Sequence, residues 1–199
     1  MGRVASLVCA VAVFFGQSGW AAATDQTGLH SIDVKHSWIK VYVFKEGVFA
    51  FAGDNHEVDV PIASGSLDQK TNSVQLTVDA AKMRVLDPPS RRDNVQANML
   101  GPPVLDVAKY PTISYRSTAS EDAGSVKGSG AKVWVVKGDL TLHGQTHPIP
   151  LSVERFGAMH FTGSAVIKQS TFGITPLRVA GGAVRVKDDV HLIFDVRLE

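Results

Sequence analysis

Gly138-Asp139-Leu140-Thr141-Leu142-His143-Gly144-Gln145-Thr146-His147-Pro148-Ile149-Pro150-Leu151-Ser152-Val153 is the stretch whose reading decides the fold class. In extended backbone successive side chains alternate between faces. Leu140 and Leu142 therefore share one side of a first strand, and Ile149, Leu151 and Val153 share one side of a second. Between them Gly144-Gln145-Thr146 supplies a tight turn, because glycine accepts the positive φ that hairpin loops use. The stretch reads as an antiparallel hairpin with one apolar face and one polar face.

The same period of two runs outward in both directions. Ile39, Val41 and Val43 alternate with Trp38, Lys40 and Tyr42; Val74, Leu76 and Val78 alternate with Gln75, Thr77 and Asp79. Ile113 and Tyr115 oppose Thr112, Ser114 and Arg116, and Trp134 and Val136 continue the apolar side of Leu140. Phe161, Ala165 and Ile167 oppose Thr162, Ser164 and Lys168, while Val190, Leu192, Phe194 and Val196 oppose His191, Asp195 and Arg197. One apolar and one wet face per strand describes antiparallel sheet, either closed into a barrel or folded as a sandwich. Ser120 to Gly130, rich in Gly, Ser and acids, reads as a loop between strands.

One segment breaks the period. Pro88-Pro89-Ser90 precedes Arg91 to Leu100, and Gly101-Pro102-Pro103 follows. Ser90 is placed to cap the first amides of a helix, with Asp93 in a capping-box relation, and the Gly-Pro pair stops it. Val95 and Met99, with Arg92, lie on one face of that helix.

The first residues carry an export pattern. Arg3 is the only charge before Asp25, residues 4–15 are apolar apart from Ser6, and Ala21-Ala22-Ala23 offers small residues for signal-peptidase cleavage. The apolar stretch falls short of the roughly 20 residues that a transmembrane helix needs. Residues 1–23 are therefore expected to be a signal peptide, and residues 24–199 one domain, periplasmic after cleavage, with no integral membrane span. Cleavage would also remove Cys9, the only cysteine, so disulfides and thiolate chemistry are not expected of the mature chain.

Charge excludes further classes. Twenty Lys+Arg stand against 19 Asp+Glu, and removal of Arg3 leaves 19 against 19. Basic clusters are short, so neither nucleic acid nor an anionic membrane surface is an expected partner. No G-x-S-x-G elbow, P-loop or dinucleotide fingerprint is present, and no enzymatic activity or cofactor is expected.

Several motifs, in order, resemble the YceI family. The opening hairpin resembles its "G-x-L-T-[IL]-H-G-x-T-x-x-[VI]" element, and Asp33 with His36-Ser37 its "D-x-x-H-S" opening. Arg92-Asp93 resembles its "R-D" pair, and Tyr110-Pro111-Thr112-Ile113-Ser114-Tyr115 its "Y-P-x-I-x-F" strand. Gln169-Ser170-Thr171-Phe172-Gly173-Ile174 is similar to its "R-x-D-F-G-[IL]" turn, with Gln169 and Thr171 in place of Arg and Asp. The resemblance covers roughly residues 30 to 199. It implies an all-β, antiparallel, lipocalin-like barrel of about eight strands with one short helix near the mouth. It also implies an amphiphilic lipid ligand (isoprenoid, quinone or fatty-acid-like) held for carriage or sequestration, and it leaves room for a homodimer.

On that reading the ligand-contacting candidates are Val41, Val43, Leu76, Ile113, Tyr115, Trp134, Leu140, Phe161 and Phe194, with Met99 under the helix and Arg92 as a head-group contact. Alternation alone serves a solid core as well as a cavity, because both need one apolar face per strand. Arg92-Asp93 equally suits a solvated helix start. The alternative to a lipid barrel is a metal- or partner-binding one. It would use the loops around Asp54-Asn55-His56 and His143/His147, although no metalloenzyme spacing is present and no metal ligand is assigned. The stretch from Thr175 to Gly182 is more apolar than a solvated turn requires, which suits a lid or a contact surface.

Overall fold

A computed structural model describes residues 28–46, 55–126, 128, 130–179 and 184–199. Residues 1–23, expected to be a signal peptide, and Asp54 lie outside the described residues. The strands, in chain order, are β1 (Leu29–Ser31), β2 (Trp38–Glu46), β3 (His56–Asp59), β4 (Ile62–Asp68), β5 (Ser73–Asp79) and β6 (Arg84–Val85). The helix α1 (Pro89–Leu100) follows. Then come β7 (Thr112–Ser125), β8 (Lys132–Leu142), β9 (Gln145–Arg155), β10 (His160–Lys168), β11 (Arg178–Val179) and β12 (Val184–Arg197).

All pairings are antiparallel, in the order β1-β4-β5-β7-β8-β9-β10-β12-β2-β3-β6, with the short β11 on β12. That path returns on itself. β3 and β4 are separated only by Val60-Pro61, so they are one strand bent where proline cannot donate to the ladder. The bend is tied across by Val60 N donating to Ile39 O at 2.9 Å. β1 and β2 are likewise one strand interrupted by a turn, in which Asp33 Oδ1 accepts from the Lys35 and His36 amides. Ile32 bridges Leu198, and β2 pairs β12 from Glu46 to Trp38. Counted as bent units, the staves are β1/β2, β3/β4, β5, β7, β8, β9, β10 and β12. The expected antiparallel barrel of about eight strands is what forms.

Three local expectations need correction. The β8–β9 turn is the pair His143-Gly144, since β9 already begins at Gln145. Both residues have positive φ, 51° and 71°, which is the two-residue type I′ geometry whose twist matches the flanking strands. Ser120 to Ser125 is strand, not loop: β7 continues through it against β8, with register slips at Thr118 and Ala123. Polar composition misleads there because the extension is held by backbone pairing and by the Lys137–Glu121 ion pair across the strands, so its side chains need no apolar partner. The helix begins at Pro89, with no side-chain cap from Ser90. A proline in the first turn lacks the amide a cap would satisfy, so the Pro-Pro pair starts the helix by itself. Gly101 ends it as expected, its N–H donating to Ala97 O.

Inside the barrel Ile32, Ile39, Val58, Val78, Tyr115 and Phe161 are among the buried residues of one continuous core. Large side chains fit because glycines face them on neighbouring strands. A Cβ at Gly138 would strike the Tyr115 ring, and one at Gly163 the Phe194 ring and Ser152 O. At one end, Val95, Met99 and Leu100 of α1, with Leu105, pack against this core. Gln96 fastens the helix there, its amide donating to Met83 O while its Oε1 accepts from Val85 N, both at 2.7 Å.

Candidate functional site

The barrel interior is not filled. A cavity of ≈ 170 Å³ runs along it. Its wall takes Leu76 and Val78 from β5, Ile113 and Tyr115 from β7, and Val136 and Leu140 from β8. β9 adds Ile149, Leu151 and Val153, β10 adds Phe161 and Ile167, and β12 adds Leu192, Phe194 and Val196. Each set is the apolar half of an alternating strand, so the pleat that makes the barrel also makes the wall. Among the described residues no charged side chain lines it; the polar residues on it are Asn72, Ser114 and Tyr115. An apolar cavity of about 150 Å³ stays dry and takes up small hydrocarbons, because water there would lack its two to four polar partners.

Tyr115 is fixed within this wall. Its hydroxyl donates to Val136 O at 3.2 Å, next to the β7 slip. Ser117 Oγ accepts from Val74 N at 2.8 Å, and Thr118 Oγ1 donates to Lys137 O at 3.3 Å, so hydroxyls repair the ladder where strand pairing slips. Burial, with a smaller contribution from the Asp139 charge, pushes the Tyr115 phenol up to about 12. It stays a neutral hydrogen-bond donor at any physiological pH.

Of the predicted contacts, Leu76, Ile113, Tyr115, Leu140, Phe161 and Phe194 stand together on the cavity wall. Val41 and Met99 are half-buried and pack against the core surrounding it. Val43, opposite Val190 and His56, and Trp134, opposite Val153, are half-buried and lie off the cavity wall. Arg92 stands exposed on α1 beside Asp93, 3.3 Å away, and does not reach the wall. The remaining wall residues, such as Leu151, Val153 and Leu192, carry the same alternation signal. Ile32 and Val60 do not, because they sit at strand bends.

The histidine loops are occupied by structural bonds. His56 Nδ1 donates to Asp87 Oδ2 at 2.6 Å, with the Asp87 side chain only 3% exposed. His143 Nδ1 donates to Phe172 O at 3.1 Å, and its ring meets Tyr110 edge-on at 4.6 Å. His147 meets the fully buried Phe172 edge-on at 5.3 Å. Among the described residues no three His, Cys, Asp or Glu side chains form a metal-binding group. The Gln169–Phe172 turn has its own polar network despite lacking Arg and Asp. Asp188 accepts from Ser170 N and Oγ, at 2.8 and 2.6 Å, and the bonds from Ser170 hold its carboxyl below the ordinary range.

Comparison with known proteins agrees with this architecture. The family model of the YceI-like domain matches residues 30–198. A UPF0312 protein of Vibrio campbellii is 32% identical over 154 residues, 76% of this chain and 71% of that protein. One from Vibrio cholerae serotype O1 is 36% identical over 97 residues, 44% of this chain. That alignment takes in 47% of the relative, so the chain spans about half the length of the first curated relatives it matches. Among solved structures, a polyisoprenoid binding domain from Saccharophagus degradans, implicated in plant cell wall breakdown, superposes with a TM-score of 0.62. It shares 19% identity over 85% of this chain and 97% of that one, a likeness of fold. With the family model covering the barrel from β1 to the end of β12, the chain belongs to the YceI-like family.

Proposed function

We propose that this barrel binds one amphiphilic lipid non-covalently, with its apolar tail in the cavity, and carries or sequesters it without chemical conversion. The observation that carries the reading is the unfilled interior, whose wall is uncharged among the described residues. A tail placed there gains roughly 0.8 kcal/mol per buried CH₂, so a modest chain suffices for useful affinity. The polyisoprenoid binding of the Saccharophagus degradans domain supports an isoprenoid among the ligands, beside quinone and fatty-acid-like tails. The export pattern of residues 1–23 supports action in the periplasm.

A cavity-filling change tests this without unfolding the barrel. Val136→Phe places a ring in the empty space. It should leave circular dichroism and melting intact while farnesol binding falls by an order of magnitude or more. Undiminished binding by a folded Val136→Phe protein would place the ligand elsewhere.

A further inference from the structure

The two ends of the barrel differ. The end at His143-Gly144 is closed by α1, Leu105 and Tyr110, whose ring lies where a Cβ on Gly144 would go. β9 then runs eleven residues to the opposite end, roughly 33 Å away at strand rise. There its last residue, Arg155, pairs with Phe161 across β10 and with Lys132 across β8. Paired residues face the same side of a sheet, and Phe161 is on the cavity wall. Arg155 therefore turns inward, two residues beyond Val153, with its guanidinium 5.5 Å from the Phe161 ring.

This rim is built. Arg155 Nε donates to Gly157 O at 2.6 Å and Nη2 to Ala158 O at 3.3 Å, which fixes the fork and leaves its other donors without a partner among the described residues. Gln69 Nε2 donates to the same Ala158 O at 2.8 Å and clasps the β4–β5 turn to the β9–β10 turn. The β4–β5 turn carries Asn72, held at φ 52°, which lines the cavity. Two cations, Lys132 and Arg155, thus stand directly opposite on adjacent strands, and among the described residues neither has a carboxylate within salt-bridge distance. Like charges so placed repel, and an anion between them removes that cost.

We infer that Arg155, with Lys132 and Asn72, forms a head-group site for an anionic amphiphile, taking phosphate or carboxylate oxygens at the rim while the tail lies in the cavity. The inference rests on the lipid-binding reading and adds the charge of the ligand and its direction of insertion. The uncharged wall requires that the ionised head stay outside it, because a charge buried there would be unpaired. The guanidinium fork matches two oxygens of one such head.

Isothermal titration with farnesyl phosphate, farnesol and inorganic phosphate separates the possibilities. The wild type should bind farnesyl phosphate at least about tenfold tighter than farnesol. Arg155→Gln should erase most of that preference with farnesol affinity unchanged, Lys132→Gln should erase part of it, and Arg155→Lys should keep part. Equal affinities in the wild type, or a preference that survives Arg155→Gln, would overturn the head-group site and leave lipid binding standing. Inorganic phosphate binding as tightly as farnesyl phosphate would overturn the lipid as the source of the anion. Failure of both farnesyl compounds to bind would remove the lipid reading and this site together. Should Arg155→Gln disturb the turn and lose farnesol as well, Lys132→Gln decides, since Lys132 holds no turn carbonyl.

Discussion

Gly138 and Tyr115 are a matched pair: the missing Cβ on one strand is the space for the ring on the next. Gly138→Ala should therefore cost about 1–3 kcal/mol in urea unfolding, through overpacking against a ring that its hydroxyl bond to Val136 O holds in place. Gly144 belongs to the same kind of pair with Tyr110, so the spaced Gly and Tyr residues of the family motifs turn out to be contacts. Tyr115 also sets an alkaline limit. Its phenol titrates near 12 in the fold against an ordinary 10.0, so the neutral form is favoured by folding. That contribution is fully present below pH 10 and is lost as pH rises through 12. Melting curves of wild type and Tyr115→Phe should accordingly converge across this window, and curves that stay parallel would contradict it. Inward residues such as Leu140, Phe161 and Phe194 were legible from alternation. Arg155 was not, because its inward direction depends on register with Phe161, which no single strand reveals.

Among the elements, the β8–β9 hairpin was legible to within a residue, and only the turn chemistry was displaced. His143 at positive φ is the reason: glycine marks a turn in the sequence, whereas nothing marks the histidine before it as adopting that conformation too. The acidic, glycine-containing half of β7 was illegible as strand, because backbone pairing to β8 and an exposed Lys137–Glu121 ion pair hold it rather than an apolar face. The helix was located correctly, but it closes one end of the barrel through Val95 and Met99, and its charged Arg92 faces solvent. Its attachment hangs on Gln96. Gln96→Ala strips partners from Met83 O and Val85 N and should cost about 1–3 kcal/mol, read as a lower urea midpoint with an unchanged m-value. A variant as stable as wild type would mean that apolar packing alone holds the helix.

For the molecule as a whole, eight staves enclose a space that their own side chains leave open. The barrel was legible because each stave repeats one pattern; the cavity was not, because a filled core needs that pattern too. Only the assembled distances between opposite walls distinguish the two. An occupied cavity stabilises the fold by mass action, so farnesol at a hundredfold excess over its Kd should add about 2.7 kcal/mol and raise Tm. Val136→Phe should show no such rise. The most direct measurement is native mass spectrometry of the protein purified without detergent, followed by solvent extraction of the bound material. The account predicts a single lipid-sized mass that leaves with the solvent. A ligand-free mass, together with no Tm response to added farnesol, would contradict it.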